Sequence, residues 1–424
     1  MPHQSAHPRI IQRQTARSLR SLLVVFLILM TVAITTATGQ DSPPSSSTSA
    51  AEYDKKLEQL ESAYSLFPLN EKNKRNLADA YAAYGNVMLS RKQYEQADHY
   101  FQKGAELYPD SASFSLPRGI CNYYLKRYDI ARYELERAQS QQPDSVDVLY
   151  FLGLVLYETD FRHPAIKVWE QALALSPGNP VITSVLEKHR KETFVEEGMD
   201  RNLSSRFNLT YDPGVDGSFA QAVLDVLENA ANQVGADLGH FPVARVPVAI
   251  YKRGDYKTVT DSPDWSGGVY DGTIRLPFGS AAEITPQLRS ILYHEYAHVV
   301  VFDLSRGNCP VWFNEGIAES FGRRELGAPP NHYPASVLSK ATAIDFSRLE
   351  RGFGGLSAQE AMLAYEQSYS IVNYVAATYG WHRITALLTL QGKGKSFRGA
   401  VADVLGDYSL TYEGLIAEWR ATLP

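Results

Sequence analysis

The residues best suited to chemistry in this 424-residue chain are Tyr293-His294-Glu295-Tyr296-Ala297-His298-Val299, an H-E-x-x-H string inside an apolar run. On a helix, two imidazoles four residues apart stand about 40° apart in azimuth and roughly 6 Å apart along the axis. Both then project from one face and can grip a single cation. Glu295 falls about 100° round from His294, on the edge of the same arc, within reach of a water on that cation. Ile291, Leu292, Val299, Val300, Val301 and Phe302 surround the segment with apolar side chains. They predict a buried helix that starts at Pro286 and ends near Asp303. Two histidines and a glutamate in such a helix are costly unless something satisfies them, and a metal ion does so directly. The competing reading is a pair of hydrogen-bonded, inert core histidines.

A carboxylate farther along the chain favours the metal. Seventeen positions past His298 comes Glu315, within Trp312-Phe313-Asn314-Glu315-Gly316-Ile317-Ala318-Glu319. This stretch resembles the second motif of the gluzincin metallopeptidases, the group of thermolysin and the zinc aminopeptidases, which reads W-x-N-E-G or N-E-x-x-x-D. The resemblance implies that His294, His298 and Glu315 hold one Zn2+, leaving a fourth position for water. It makes Glu295 the general base toward that water. It sets Glu319, one turn past Glu315, behind the first histidine as the group that orients its ring, the alternative being a solvated helix residue. Ala364-Tyr365-Glu366-Gln367-Ser368 resembles the aminopeptidases' Y-E-K-G segment. On that likeness Tyr365 is the first candidate to stabilise an oxyanion, and Tyr369, four residues on along the same face, the second. In a chain with 26 tyrosines, the alternative is that Tyr365 belongs to the core.

Gluzincins also pair extended substrate with an edge strand ahead of the zinc helix. Thr273, Ile274, Arg275 and Leu276, within Gly272–Pro277, occupy that place and are the candidate substrate-binding residues. The stretch lacks the aminopeptidases' G-x-M-x-N sequence. Aminopeptidase activity is therefore in doubt, and endopeptidase or another exopeptidase activity stays open. The likeness to this peptidase MA-like group spans about residues 205–424.

The elements around these residues follow from pattern. Phe207–Tyr211 and Val246–Tyr251 read as strands on either side of an amphipathic helix from Phe219 to Leu238. A hairpin with an Asp-Gly turn comes next at 267–277, and everything from Pro286 on reads as helix. This predicts an α+β, zincin-like domain over 205–424 with a helical C-terminal lobe. Gly392-Lys393-Gly394-Lys395 lacks Walker spacing and is a turn.

Ahead of that domain the chain repeats. Pro109, Pro143 and Pro177 are 34 residues apart. Gly85, Gly119 and Gly153 fall 24 before them, and Ala97, Ala131 and Ala165 fall 12 before. Phe101, Leu135 and Trp169 fall 8 before, and Gly104, Ala138 and Ala172 fall 5 before. Small residues where helices cross, a large one to fill the groove, and a proline stop resemble the tetratricopeptide repeat. This implies an all-α superhelix over residues 52–200. It holds three full repeats, an irregular helix from Tyr53 to Pro68 as half of a degenerate one, and a charged capping helix from Pro180 to about Asp200. Such arrays present a concave groove to a peptide or partner protein, or serve as a packing scaffold; both readings stand.

Residues 1–39 carry Arg9, Arg13, Arg17 and Arg20, no acid, and an apolar run from Leu22 to Ile34. They read as an export signal, either cleaved or retained as a membrane tether through residues 21–39. Residues 40–51 are a Ser/Pro-rich linker. In either case the bulk of the chain lies outside the cytoplasm, periplasmic or extracellular. The whole chain carries −6, and without the four arginines −10, which argues against nucleic acid as a partner. Cys121 and Cys309 are too far apart, in different domains, for a disulfide framework and read as buried thiols. Together these features predict an exported zinc metallopeptidase acting on a peptide or protein. The rival is a tetratricopeptide interaction protein with a structural or inactive zinc site, but such a site has no need of Glu295.

Overall fold

Large side chains seated on glycines hold each repeat together. The computed structural model describes residues 50–260, 268–278, 283–326, 338–350, 352–353 and 356–424, with side chains from Tyr53. The export segment and all but the end of the linker lie outside these residues. Among the described residues, no helix is long and apolar enough to cross a membrane. After α1 (Ala50–Leu66) the helices pair as α2 (Glu71–Ser90) with α3 (Tyr94–Leu107), α4 (Ala112–Tyr124) with α5 (Tyr128–Gln141), and α6 (Val146–Glu158) with α7 (Arg162–Leu175). A Cβ on Gly85 would come within 2.7 Å of the Phe101 ring, on Gly119 within 2.5 Å of Leu135, and on Gly153 within 2.3 Å of Trp169. The glycine 24 residues before each proline is thus the seat for the large residue 8 before it. Phe101, Leu135 and Trp169 are fully buried there.

A further periodic feature carries no glycine signal. Lys92, Lys126 and Asp160, also 34 apart, adopt left-handed φ of 58°, 57° and 64° between the two helices of each pair. The next residue closes each turn with a bond to the carbonyl five residues back: Gln93 N–H to Met88, Arg127 N–H to Asn122, and Phe161 N–H to Leu156. This is a Schellman stop built on non-glycine residues.

Helix α8 (Pro180–Glu196), the expected capping helix, exposes Glu187, Arg190 and Lys191 and also has a buried side. Val181, Ile182 and Leu186 join the repeat core. Glu192 is buried, where it accepts from the Tyr157 hydroxyl at 2.7 Å and pairs with His189 Nδ1 at 2.6 Å. The repeat unit runs to Thr193, and a second compact unit runs from Phe194 to Pro424.

That unit contains a five-stranded sheet in the order β1-β2-β3-β5-β4. The strands are β1 (Asp200–Leu203), β2 (Phe207–Tyr211), β3 (Val246–Lys252), β4 (Val269–Tyr270) and β5 (Ile274–Phe278). β2, β3 and β5 run parallel, with an antiparallel strand at each edge. The sheet therefore begins at Asp200, ahead of the start near Ser205 that the sequence pattern predicts. β1 is mostly exposed and has no apolar alternation to reveal it. Helix α9 (Gly217–Leu238) makes the crossover that parallel β2 and β3 require. Along β3 the side chains alternate: Val248 and Ile250 enter the main core, while Ala249 and Tyr251 join a small cluster with Tyr256 and Val259 of α10 (Arg253–Thr260).

Among the described residues, every element after the sheet is helical: α11 (Pro286–Ser305), α12 (Val311–Arg324), α13 (Phe346–Leu349), α14 (Ala358–Tyr379), α15 (Trp381–Gly392), α16 (Phe397–Val404) and α17 (Tyr412–Ala421), with one 3-10 turn. Thr285 caps α11 through Leu288 N–H, with Pro286 in the first turn. α11 is buried along most of its length, although Phe302 is 41% exposed rather than part of the core. Cys121 is buried, Cys309 is half-buried, and both thiols are free.

Gly153→Ala drives a methyl into the Trp169 indole and should cost the repeat unit about 1–3 kcal/mol. The expected result is a lower urea midpoint by circular dichroism.

Candidate metal centre

His294, His298 and Glu315 are the one group of three His, Cys, Asp or Glu residues, among the described residues, whose donor atoms converge, all within 4.8 Å of one another. His294 Nε2 and His298 Nε2 are 3.2 Å apart, and Glu315 Oε2 lies 3.7 Å from the first and 3.6 Å from the second. Donors about 2.0–2.2 Å from a tetrahedral ion stand about 3.3–3.5 Å from each other, so the spacing suits one small cation.

The far side of each ring makes the same point. His298 Nδ1 faces the Asn314 side-chain oxygen at 3.0 Å, and His294 Nδ1 faces Glu319 Oε1 at 3.5 Å. Both partners are acceptors, an arrangement that suits a proton on each Nδ1 and a lone pair on each Nε2. In that arrangement both Nε2 atoms and the Glu315 carboxylate are placed to hold one cation.

Glycines let the helices come close enough for this. A Cβ on Gly322 would lie 3.0 Å from Ser290 O and 3.2 Å from His294 Cβ, so α12 rests directly on α11. A Cβ on Gly316 would lie 2.2 Å from Ser368 O, so α12 also meets α14 at its backbone, one residue past Glu315. α14 carries Tyr365, whose ring packs edge-on against Phe353 at 5.1 Å. The charge of Glu315, then burial, then Glu319 and Glu295 raise the Tyr365 pKa, so the phenol faces all three carboxylates in its neutral form. Tyr369 differs: its ring lies under the Arg323 guanidinium at 4.0 Å.

Burial pushes Glu295 up to about 7, with Glu315 and Asp271 adding to the shift and His298 opposing it. Burial also raises Glu315 and lowers His294. His298 is pulled down by burial and raised overall by Glu315 and Glu295.

Residues 227–424 match the family model of the Peptidase MA superfamily. The match takes in α11, α12 and α14 and therefore every residue of the triad. A search among curated proteins gave no match. Among solved structures, the first TPR domain of Spaghetti (RPAP3) bound to the HSP90 peptide SRMEEVD is similar at 20% identity and TM-score 0.27, over 28% of this chain and 93% of that one. The NMR structure of the first TPR domain of human RPAP3 is similar at 21% identity and TM-score 0.27, over 28% of this chain and 94% of that one.

The expected substrate strand is corrected. Thr273 to Leu276 do not form the sheet edge, because β5 lies between β3 and β4. Thr273 falls in the turn before β5, and Ile274 and Leu276 fill the main core. Arg275, 4% exposed, points to the opposite face, where it pairs with Glu196 at 3.3 Å and Asp271 at 3.0 Å and bonds the Tyr251 hydroxyl. The hairpin folds its first arm outward, so the edge is the antiparallel β4. Gly268, just before it, is close enough that a Cβ there would touch Glu295 Cγ and Oε1 at 3.2 Å. Sequence alone assigns no role to Gly268, Asn314 or Arg323. Of these, Arg323 carries a signal, four residues after Glu319 on one helix face.

Arg275→Met should break the buried pair with Glu196 and cost about 3–5 kcal/mol of stability. Thermal unfolding should register that loss, while the KM of any substrate changes little.

Proposed function

We propose that the chain is a zinc-dependent metallopeptidase of the gluzincin type, with a zincin-like catalytic domain from about Asp200 to the C-terminus. The convergence of His294, His298 and Glu315 with Glu295 beside them carries this reading. A zinc ion, when bound, polarises the scissile carbonyl and brings the pKa of its water to about 7. Glu295 takes the proton from the attacking water and delivers it to the departing amine. Tyr365 donates a hydrogen bond to the oxygen that gains negative charge. Asn314 and Glu319 hold the two imidazoles with Nε2 free for the ion. The backbone edge of β4 pairs with extended peptide, and Gly268 keeps the approach to Glu295 clear of a side chain. The first 39 residues export the chain, and the repeat array gives it a surface for protein contact.

Wild type should retain about one zinc per chain and cleave members of a diverse peptide mixture, with the cut sites read by mass spectrometry. Those cuts separate endo- from exopeptidase action. Glu295→Gln should keep the zinc and lose about 10²–10⁴-fold in kcat. Equal activity in wild type and Glu295→Gln would overturn the mechanism. Chelation should abolish cleavage and added zinc restore it. Tyr365→Phe should lower kcat by about 10²–10³-fold with little change in KM.

A further inference from the structure

Arg323, on α12, is 8% exposed and reaches across to α14. Its Nε donates to Glu319 Oε2 at 2.7 Å, and the other oxygen of Glu319 faces His294 Nδ1 at 3.5 Å. Its Nη1 pairs with Glu366 Oε2 at 2.9 Å, next in sequence to Tyr365 on α14. Its guanidinium plane lies over the Tyr369 ring, 4.0 Å from the centroid, one turn past Tyr365. Glu366 and Tyr369 stand about 100° and 40° round α14 from Tyr365, so a group bound to both fixes the rotation of that helix. A rigid, planar fork is needed to hold two carboxylates and stack on a ring at once; a lysine cannot do all three.

We propose that Arg323 is a positioning residue that locks two parts of the site into one register, His294 through Glu319 and Tyr365 through Glu366 and Tyr369. The inference rests on the metallopeptidase reading. It adds a prediction that reading does not make: the metal ligand and the oxyanion donor share one anchor. Removing Arg323 loosens both, while removing either carboxylate loosens only one.

The test compares wild type, Arg323→Met, Arg323→Lys, Glu319→Gln, Glu366→Gln and the double variants. It reads zinc affinity by competition with a chromophoric chelator, and kcat and KM on a peptide cleaved by wild type. Arg323→Met should weaken zinc about 10-fold, and in the Glu319→Gln background it should add less than about 2-fold. Glu366→Gln should leave zinc affinity unchanged and lower kcat with KM within about 2-fold, and that loss should shrink in the Tyr365→Phe background. Arg323→Lys should recover part of the zinc affinity and little of kcat. Glu366→Gln keeps Arg323 in place, so the second arm can be read even if Arg323→Met fails to fold. Effects that multiply independently in both backgrounds, or a Glu366→Gln that loses zinc and kcat together, overturn the shared anchor. A wild type that takes up no zinc overturns the site reading and this inference with it. A wild type that binds zinc but cleaves nothing overturns the peptidase reading alone, and the zinc comparison still decides the Glu319 arm.

Discussion

A carboxylate on one helix must meet two imidazoles on another within a few tenths of an ångström, and the C-terminal unit is arranged around that constraint. Glu315 and the histidine pair sit on successive helices, α12 and α11, whose separation sets the spacing of the three donors. Ordinary helix pairs stand about 8–10 Å apart, depending on the side chains between them. Here Gly322 brings α12 onto the backbone of α11 at Ser290 and His294, while Gly316 brings its other side onto α14 at Ser368. A methyl at either place would push apart helices whose donors need a spacing of about 3.3–3.5 Å. The glycine in Asn314-Glu315-Gly316 therefore acts through packing, and the residues on either side of Glu315 divide the work. Asn314 orients His298, and Gly316 sets how near Tyr365 can come.

The sheet imposes a second constraint. Its three central strands are parallel, so the chain needs crossovers to pass between them, and each edge is closed by a tight hairpin, β1–β2 on one side and β4–β5 beside α11 on the other. The second hairpin turns the last strand antiparallel and places Gly268 against Glu295. Period-2 alternation then sends Ile274 and Leu276 into the main core with α11 and Arg275 away from it. Buried on the far face, Arg275 needs counter-charges, and Glu196 and Asp271 supply them from opposite sides.

The legible parts of the site are those that short stretches of sequence carry: His294, Glu295 and His298 on one helix and, through the likeness around Asn314-Glu315-Gly316, Glu315 on the next. The spacing of His294, Glu295 and His298 fixes their relative directions wherever the helix sits, and the 34-residue period does the same for the repeats. Features that depend on which element lies outside another are harder to read. The hairpin is recognisable from its Asp-Gly turn, but nothing in Gly268–Pro277 says that the first arm, not the second, is the free edge. The charged run of α8 suggests a solvated helix because the tyrosines that take up Glu192 and Glu196, Tyr157 and Tyr251, are far away in sequence. β1 leaves no trace because an exposed edge strand needs no apolar alternation.

Left-handed backbone at non-glycine residues is often a sign of function, since it costs roughly 1–2 kcal/mol per residue and persists only where the surroundings enforce it. In the repeat unit that inference fails for a definite reason. Lys92, Lys126 and Asp160 share the conformation but not the side chain, and they recur with the period of the fold. What they share is the adjoining bond, from the next N–H to the carbonyl five residues back, so the strain belongs to the stop that turns one helix into the next. Arg306 in the other unit shares the left-handed conformation at the end of α11, with φ of 51°. There its side chain adds a role: with His240 it holds Asp303, at 3.1 and 2.7 Å, and pins the far end of the helix that carries the histidines. The same local cost thus ends helices in both units, and at α11 the residue that bears it also helps fix the helix that carries His294 and His298.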